Sequence, residues 1–214
     1  MTPTPRRRLA PGDRRRQLLD IGAQLFAELP YDEVRMDQVA ARAGVSRALL
    51  YRYFPNKRDL FTAVYRQATD RLVETVRLDP AAGLEQQLRD GLDAHFDYFT
   101  ANRHAVLAAN RVLASDPTIQ AMMADELNVM CERLLDGGTL GDAPREAVGA
   151  VVMSWLVFVR VLCVEWLQQP SFSREELREM CIGSLLGALR PLAGERDGTG
   201  RSTVSPRGPG DLHA

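Results

Sequence analysis

The sequence predicts an all-α protein, and three observations carry that prediction. Apolar residues recur at i, i+3, i+4 and i+7 along nearly the whole chain, the spacing of a helix that buries one face. Alternation of apolar and polar residues, the mark of a half-buried strand, is scarce. Helix-breaking residues separate the periodic segments: Pro30, Gly44, Pro55, Pro80, Pro117, Gly137, Gly138, Pro170 and Gly194. Between those breaks there is room for about nine helices.

The first helix is expected over residues 13–29, with Leu18, Gly22, Leu25, Phe26 and Leu29 on one face and Pro30 just beyond. A short second helix over 36–43 stops at Gly44, the residue type that accepts a left-handed turn. Ser46 caps a third helix that runs to Phe54 and is ended by Pro55-Asn56. Lys57 opens a long fourth helix to residue 78, with Leu60, Val64, Ala68, Leu72 and Val76 along one side. Five further segments follow over 84–100, 104–114, 117–135, 145–169 and 174–192. Residues 194–214 are rich in Gly, Pro, Ser and Thr, the composition of a disordered tail.

The chain is expected to comprise a basic flexible arm (1–11), a helix-turn-helix domain (12–72, motif 35–54) whose bounds follow the family resemblance described below, a larger helical domain (73–193) and the tail. Charge follows the same division. Residues 1–77 carry 15 Lys and Arg against 9 Asp and Glu, a net of +6. Residues 78–214 carry 12 against 19, a net of −7. A basic front suits a polyanion, and an acidic back suits another task.

The chemistry concentrates in residues 36–54. Ala40 and Ala43 are small enough for two short helices to cross closely, Gly44 makes the turn between them, and Val45 plugs its inner side. Leu50 and Phe54, four apart, anchor the third helix to the core. Arg47, Ala48, Leu49, Tyr51, Arg52 and Tyr53 are then left to face outward, a surface suited to a helix in a DNA major groove.

The run Ala-Gly-Val-Ser-x-x-x-Leu-Tyr-x-Tyr-Phe-x-x-Lys-x-x-Leu, from Ala43 to Leu60, resembles the signature of the TetR (tetracycline-repressor) family. The likeness is specific over residues 12–72 and rests on helix number and lengths beyond them. It implies a DNA-binding transcriptional regulator in which Arg47, Ala48 and Leu49 meet base edges. It puts Tyr51, Tyr53 and Lys57 on phosphates, with Arg52 on the same surface and Ser46 capping the recognition helix. Two positions depart from the pattern. Arg35 stands where a Thr or Ser commonly caps the second helix; it cannot cap, but its guanidinium could pair with a phosphate. Leu49 stands where a smaller or hydroxylated residue is common, and it can make only apolar contact, such as with a thymine methyl. Arg6, Arg7 and Arg8 read either as a solvated basic face or as an arm that follows the minor groove.

In the second half, Val148, Val151, Val152, Trp155, Val159, Leu162, Cys163 and Trp166 form one apolar stripe, and Met153, Val157, Val161 and Val164 part of another. A helix apolar on two sides must be covered on two sides. The last helix carries Leu177, Met180, Cys181, Ser184, Leu185, Ala188, Leu189 and Leu192 at helical spacing, with Gly183 and Gly187 leaving a groove for close approach. Helices 145–169 and 174–192, packed against their copies, match the homodimer that the resemblance implies for a palindromic operator. The resemblance also implies an effector pocket and release of the operator when a small hydrophobic effector fills it. Phe96, Phe99, Met122, Met123, Met130, Trp155, Phe158 and Trp166 are the candidate lining, although such residues at helical spacing are usually core.

No catalytic residue, metal site or cofactor is expected. The only His residues are His95, His104 and His213, and no His-x-x-x-His, P-loop or phosphate-binding glycine fingerprint is present. His95 reads as a satisfied core or surface histidine. Cys131, Cys163 and Cys181 lie in apolar helical patterns, an odd count without a secretion signal that fits a reducing cytoplasm. The apolar stretch 147–159 falls short of the roughly 20 residues of a membrane span, so a buried helix and no membrane partner are expected. The competing reading is a small-molecule-binding helical protein with a vestigial helix-turn-helix, which would show no salt-dependent affinity for DNA.

Overall fold

A computed structural model describes residues 10–75, 82–137 and 143–193. The basic arm up to residue 9, the tail from residue 194, Val76 and Gly138 lie outside the described residues, as does the side chain of Leu72. Among the described residues the chain has nine α-helices and no strand. They are α1 (Pro11–Glu28), α2 (Met36–Ala43), α3 (Arg47–Tyr53), α4 (Lys57–Thr75), α5 (Leu84–Ala101), α6 (Arg103–Leu107), α7 (Pro117–Asp136), α8 (Arg145–Gln168) and α9 (Arg174–Ala193).

At α4, α7 and α9 the helix start is built by side chains that satisfy orphan N–H groups. Asn56 Oδ1 accepts from Asp59 N–H at 2.8 Å at the head of α4. Asp116 Oδ1 accepts from Thr118 and Ile119 N–H at the head of α7. Ser173 and Glu176 form a reciprocal capping box before α9, at 3.2 and 2.7 Å. One helix departs from its expected form. The segment expected over 104–114 is a short α6 running into a π-turn over residues 108–112, where Leu113 N–H reaches back five residues to the Ala108 carbonyl at 2.8 Å.

Two apolar cores result. One joins α1 to α4 around Leu18, Phe26, Leu50, Leu60 and Phe61, and it extends to Ala108, Ala109, Ile119, Met122 and Met123. The other lies among α5, α7, α8 and α9, around Leu92, Phe96, Val152, Cys163, Leu177 and Leu185. The start of α7 therefore packs under the basic N-terminal helices, while its later turns serve the second core.

α8 is 24 residues long, and by length and composition it is the one helix among the described residues that could cross a membrane. It is longer than the apolar run 147–159 because Arg160 and Glu165 do not interrupt it. Arg160 is buried and paired with Glu126 of α7 at 2.9 Å, and Glu165 pairs with Arg111.

Candidate nucleic-acid interface and buried cavity

The interface is built by the turn between α2 and α3. Gly44 has φ 62° and ψ 36°, a left-handed conformation that costs glycine least. Around it the Gly44 N–H donates to the Ala41 carbonyl at 3.1 Å and the Val45 N–H to the Ala40 carbonyl at 3.0 Å, closing α2 with a Schellman pair. Ser46 Oγ then accepts from Leu49 N–H at 3.2 Å and starts α3. Leu50 is fully buried and Phe54 only 3% exposed, so α3 is pinned by one face. Arg47, Ala48, Tyr51 and Arg52 are exposed on the other, while Leu49 and Tyr53 are half-buried. The Arg52 guanidinium lies 5.7 Å from the Tyr53 ring centroid.

Arg35 does not cap α2 with its side chain. Its backbone N–H donates to Gln38 Oε1 at 2.8 Å, and its guanidinium makes two hydrogen bonds to Asp37, at 2.9 and 3.2 Å. One edge of the guanidinium is thereby used within the protein. Lys57 is drawn inward more strongly. Its ammonium donates to the carbonyls of Tyr31 at 2.8 Å and Asp32 at 3.3 Å, and it sits 4.4 Å from the Tyr31 ring centroid. Two of its three donors are spent there, so a phosphate could take only the third.

Two polar links tie α4 to α7 and α8. Arg58 pairs with Asp116, the cap of α7, through Nε and through Nη2 at 2.8 Å. The Arg58 guanidinium hydrogen-bonded to Asp116 holds that carboxyl down at about 2. Deeper in, Tyr65 of α4 accepts from Arg160 Nη1 at 3.4 Å, and Arg160 Nη2 pairs with Glu126. Burial pushes the Tyr65 phenol up from its usual range. Sequence reasoning missed this trio. The signal was present as an Arg in the middle of an apolar helix, since a buried charge must be paired.

Arg160 also lines a cavity of about 80 Å³ between α5, α7 and α8. Leu88, Leu92, Leu127, Leu134, Leu156 and Val159 supply apolar wall, and Gln87, His95 and Arg133 supply polar groups. Of the eight expected lining residues only Met130 and Trp155 reach it. Phe96 and Phe99 belong to the core behind the wall, with the Phe99 ring 4.0 Å from that of His95. Met122 and Met123 pack in the first core. Trp166 donates its indole N–H to the Phe172 carbonyl at 2.9 Å, and Phe158 is 42% exposed on the outer side of α8. Hydrophobicity alone could not separate residues facing a cavity from those facing a core, because both present the same pattern.

His95 departs from its expected satisfied state. It is 8% exposed, and its Nε2 has no hydrogen-bond partner. Burial, and then the Arg160 cation, push the imidazole down to about 3, so it stays neutral at physiological pH. All three cysteines are free and buried. Burial pushes Cys163 up strongly and Cys181 up to about 12, which keeps both thiols protonated and unreactive. Among the described residues no group of three or more His, Cys, Asp or Glu is placed to hold a metal ion.

Residues 18–64 match the family model described as bacterial regulatory proteins, tetR family. The transcriptional activator FasR of Mycolicibacterium smegmatis is 32% identical over 131 residues, 60% of this chain and 58% of FasR. The transcriptional regulator RutR of Escherichia coli K12 is 29% identical over 138 residues, 62% of each chain. The chain thus matches less than two thirds of the length of these curated relatives. Among solved structures, a tetR-family transcriptional regulator from Streptomyces coelicolor has a TM-score of 0.74 at 23% identity, covering 89% of this chain and 93% of that one. At such identity the likeness shows the fold alone.

Proposed function

We propose, from the match of residues 18–64 to the tetR family of bacterial regulatory proteins, that the whole chain is a dimeric transcription regulator that leaves its operator when a small apolar effector binds. The observation that carries the reading is the division of α3: Leu50 and Phe54 are buried while Arg47, Ala48, Tyr51 and Arg52 are displayed. Arg47 and Ala48, at the N-terminal end of α3, are assigned to base edges together with Leu49. Tyr51, Arg52, Tyr53 and the free edge of Arg35 are assigned to phosphates, with Lys57 reduced to at most one such bond. A dimer would hold two recognition helices roughly 34–36 Å apart, one turn of DNA.

The cavity supplies the second state. Its Arg160 donates to Tyr65 on α4, the helix that follows the recognition helix. An occupant that favours a different position of Arg160 would bias α4 and the spacing of the two recognition helices, provided its affinity differs between the states. Blocking a promoter needs only occupancy, which favours repression; FasR, named an activator, marks the opposite sign as the alternative.

The test is selection of bound duplexes from a random pool, then mobility-shift titration of wild type and Arg47→Ala. A drop in affinity of the variant on the selected palindrome is expected, and equal binding by both removes the role of α3. The competing reading, a small-molecule carrier with a vestigial helix-turn-helix, predicts no selected duplex and no salt dependence.

A further inference from the structure

The cavity has an uneven chemistry that restricts what can fill it. Leu88, Leu92, Leu127, Leu134 and Val159 present carbon, and a ligand there gains by losing water contact. Against that wall stand two buried polar atoms without a partner, His95 Nε2 and Arg160 Nε. A buried polar group left unpaired has lost its water and gained nothing in return, so a ligand that pairs it gains affinity.

The two groups also define the partner. Arg160 Nε–H can only donate, and the other guanidinium nitrogens are already turned to Glu126 and Tyr65. The ligand atom opposite must therefore be an acceptor. His95, held neutral by burial and by the neighbouring cation, can donate through Nε2 to the same kind of atom. A ligand cation would face Arg160. A ligand anion would find the Arg160 cation already balanced by Glu126, and Arg133 on the same wall already engaged in an interaction of its own, so neither is left to offset its desolvation. An uncharged carbonyl oxygen has two lone pairs and a small desolvation cost.

We propose that the cavity takes a slender apolar molecule whose single polar group is an uncharged carbonyl, such as a ketone, ester or lactone, hydrogen-bonded by His95 and Arg160. This rests on reading the cavity as the effector site, and the test keeps the two claims apart.

Trp155 lines the cavity and reports occupancy by its fluorescence. The full chain is titrated with 2-butanone, butanoate, butylamine and butane, probes small enough for the cavity, without DNA. 2-Butanone should bind about tenfold more tightly than the other three, equivalent to about 1.4 kcal/mol. His95→Phe should lower that preference, while His95→Gln, which keeps an N–H donor, should retain most of it. Thermal melting checks that both variants fold. Should His95→Phe not fold, the infrared carbonyl stretch of bound 2-butanone decides: a shift below its position in hexane supports the hydrogen bonds, and an unshifted band overturns them. Equal binding of the four probes, or preference for butanoate, overturns the ligand class and leaves a ligand cavity standing. No binding by any probe overturns both, without touching the DNA-binding role, which is read separately by mobility shift.

Discussion

An ammonium group has three donors and no acceptor, so the atoms it meets decide what Lys57 does. It meets the carbonyls of Tyr31 and Asp32, which belong to the short 3₁₀ turn between α1 and α2. Lys57→Met removes both bonds and strands the carbonyls. We expect a loss of about 1 kcal/mol, read as a melting temperature lower by roughly 2–4 °C. The salt dependence of DNA binding separates this brace from a phosphate contact. A slope unchanged by the substitution leaves Lys57 structural, whereas a fall of about 0.9 in the slope puts it on the DNA. Arg47→Ala should behave differently, costing about 1–3 kcal/mol on the selected operator and less on unrelated duplexes. Leu50 and Phe54 were legible in the sequence because helical period alone turns them inward. The work of Lys57 was not legible, because its partners lie 25 and 26 residues away along the chain.

The turn between α2 and α3 is local chemistry. Gly44 was readable as a helix stop, and it is the one described glycine with positive φ. Gly44→Ala places a Cβ in the left-handed region and should destabilise the chain by roughly 1–2 kcal/mol; Gly44→Asn should cost less. Equal melting of Gly44→Ala and wild type would contradict the strain. The start of α7 makes a pH-dependent prediction. Asp116 was visible as a residue before a helix, but not as the partner of Arg58, 58 residues earlier. Its carboxyl is held at about 2 by Arg58, below its value in the unfolded chain. The pair therefore adds stability above the ordinary carboxylate range, near 3.9, and that contribution disappears as pH falls through about 2. Asp116→Asn keeps a capping oxygen and loses the charge. The melting-temperature gap between wild type and Asp116→Asn should be widest near neutrality and close between pH 4 and pH 2. A gap that persists at pH 2 would mean that the cap, not the ion pair, sets the difference.

At the scale of the whole molecule, α8 and α9 present more apolar surface than one chain covers. Val148, Val152, Trp155, Val159 and Cys163 of α8 are buried, as the stripe predicts, but Val157, Phe158 and Val161 on the opposite side are exposed, Val161 by 56%. On α9, Leu177, Cys181, Leu185 and Leu189 face the core, while Met180 and Leu186 are exposed and a Cβ built on Gly183 or Gly187 would meet nothing within 4 Å. The two-sided pattern was legible; its division into a core side and an outer side required the fold, because both sides have the same composition. An outer face of that kind is covered by a second copy when two-fold symmetry brings the helices together. Val161→Arg puts a charge where two copies would meet, yet in a single chain the side chain points to water and the core is untouched. The variant should melt close to wild type at low concentration, sediment as a monomer, and lose most of its operator affinity, because one recognition helix alone holds only a half-site. A variant that stays dimeric and binds the operator fully would move the dimer interface elsewhere on the surface. One that becomes monomeric yet binds as wild type would instead detach DNA recognition from dimerisation.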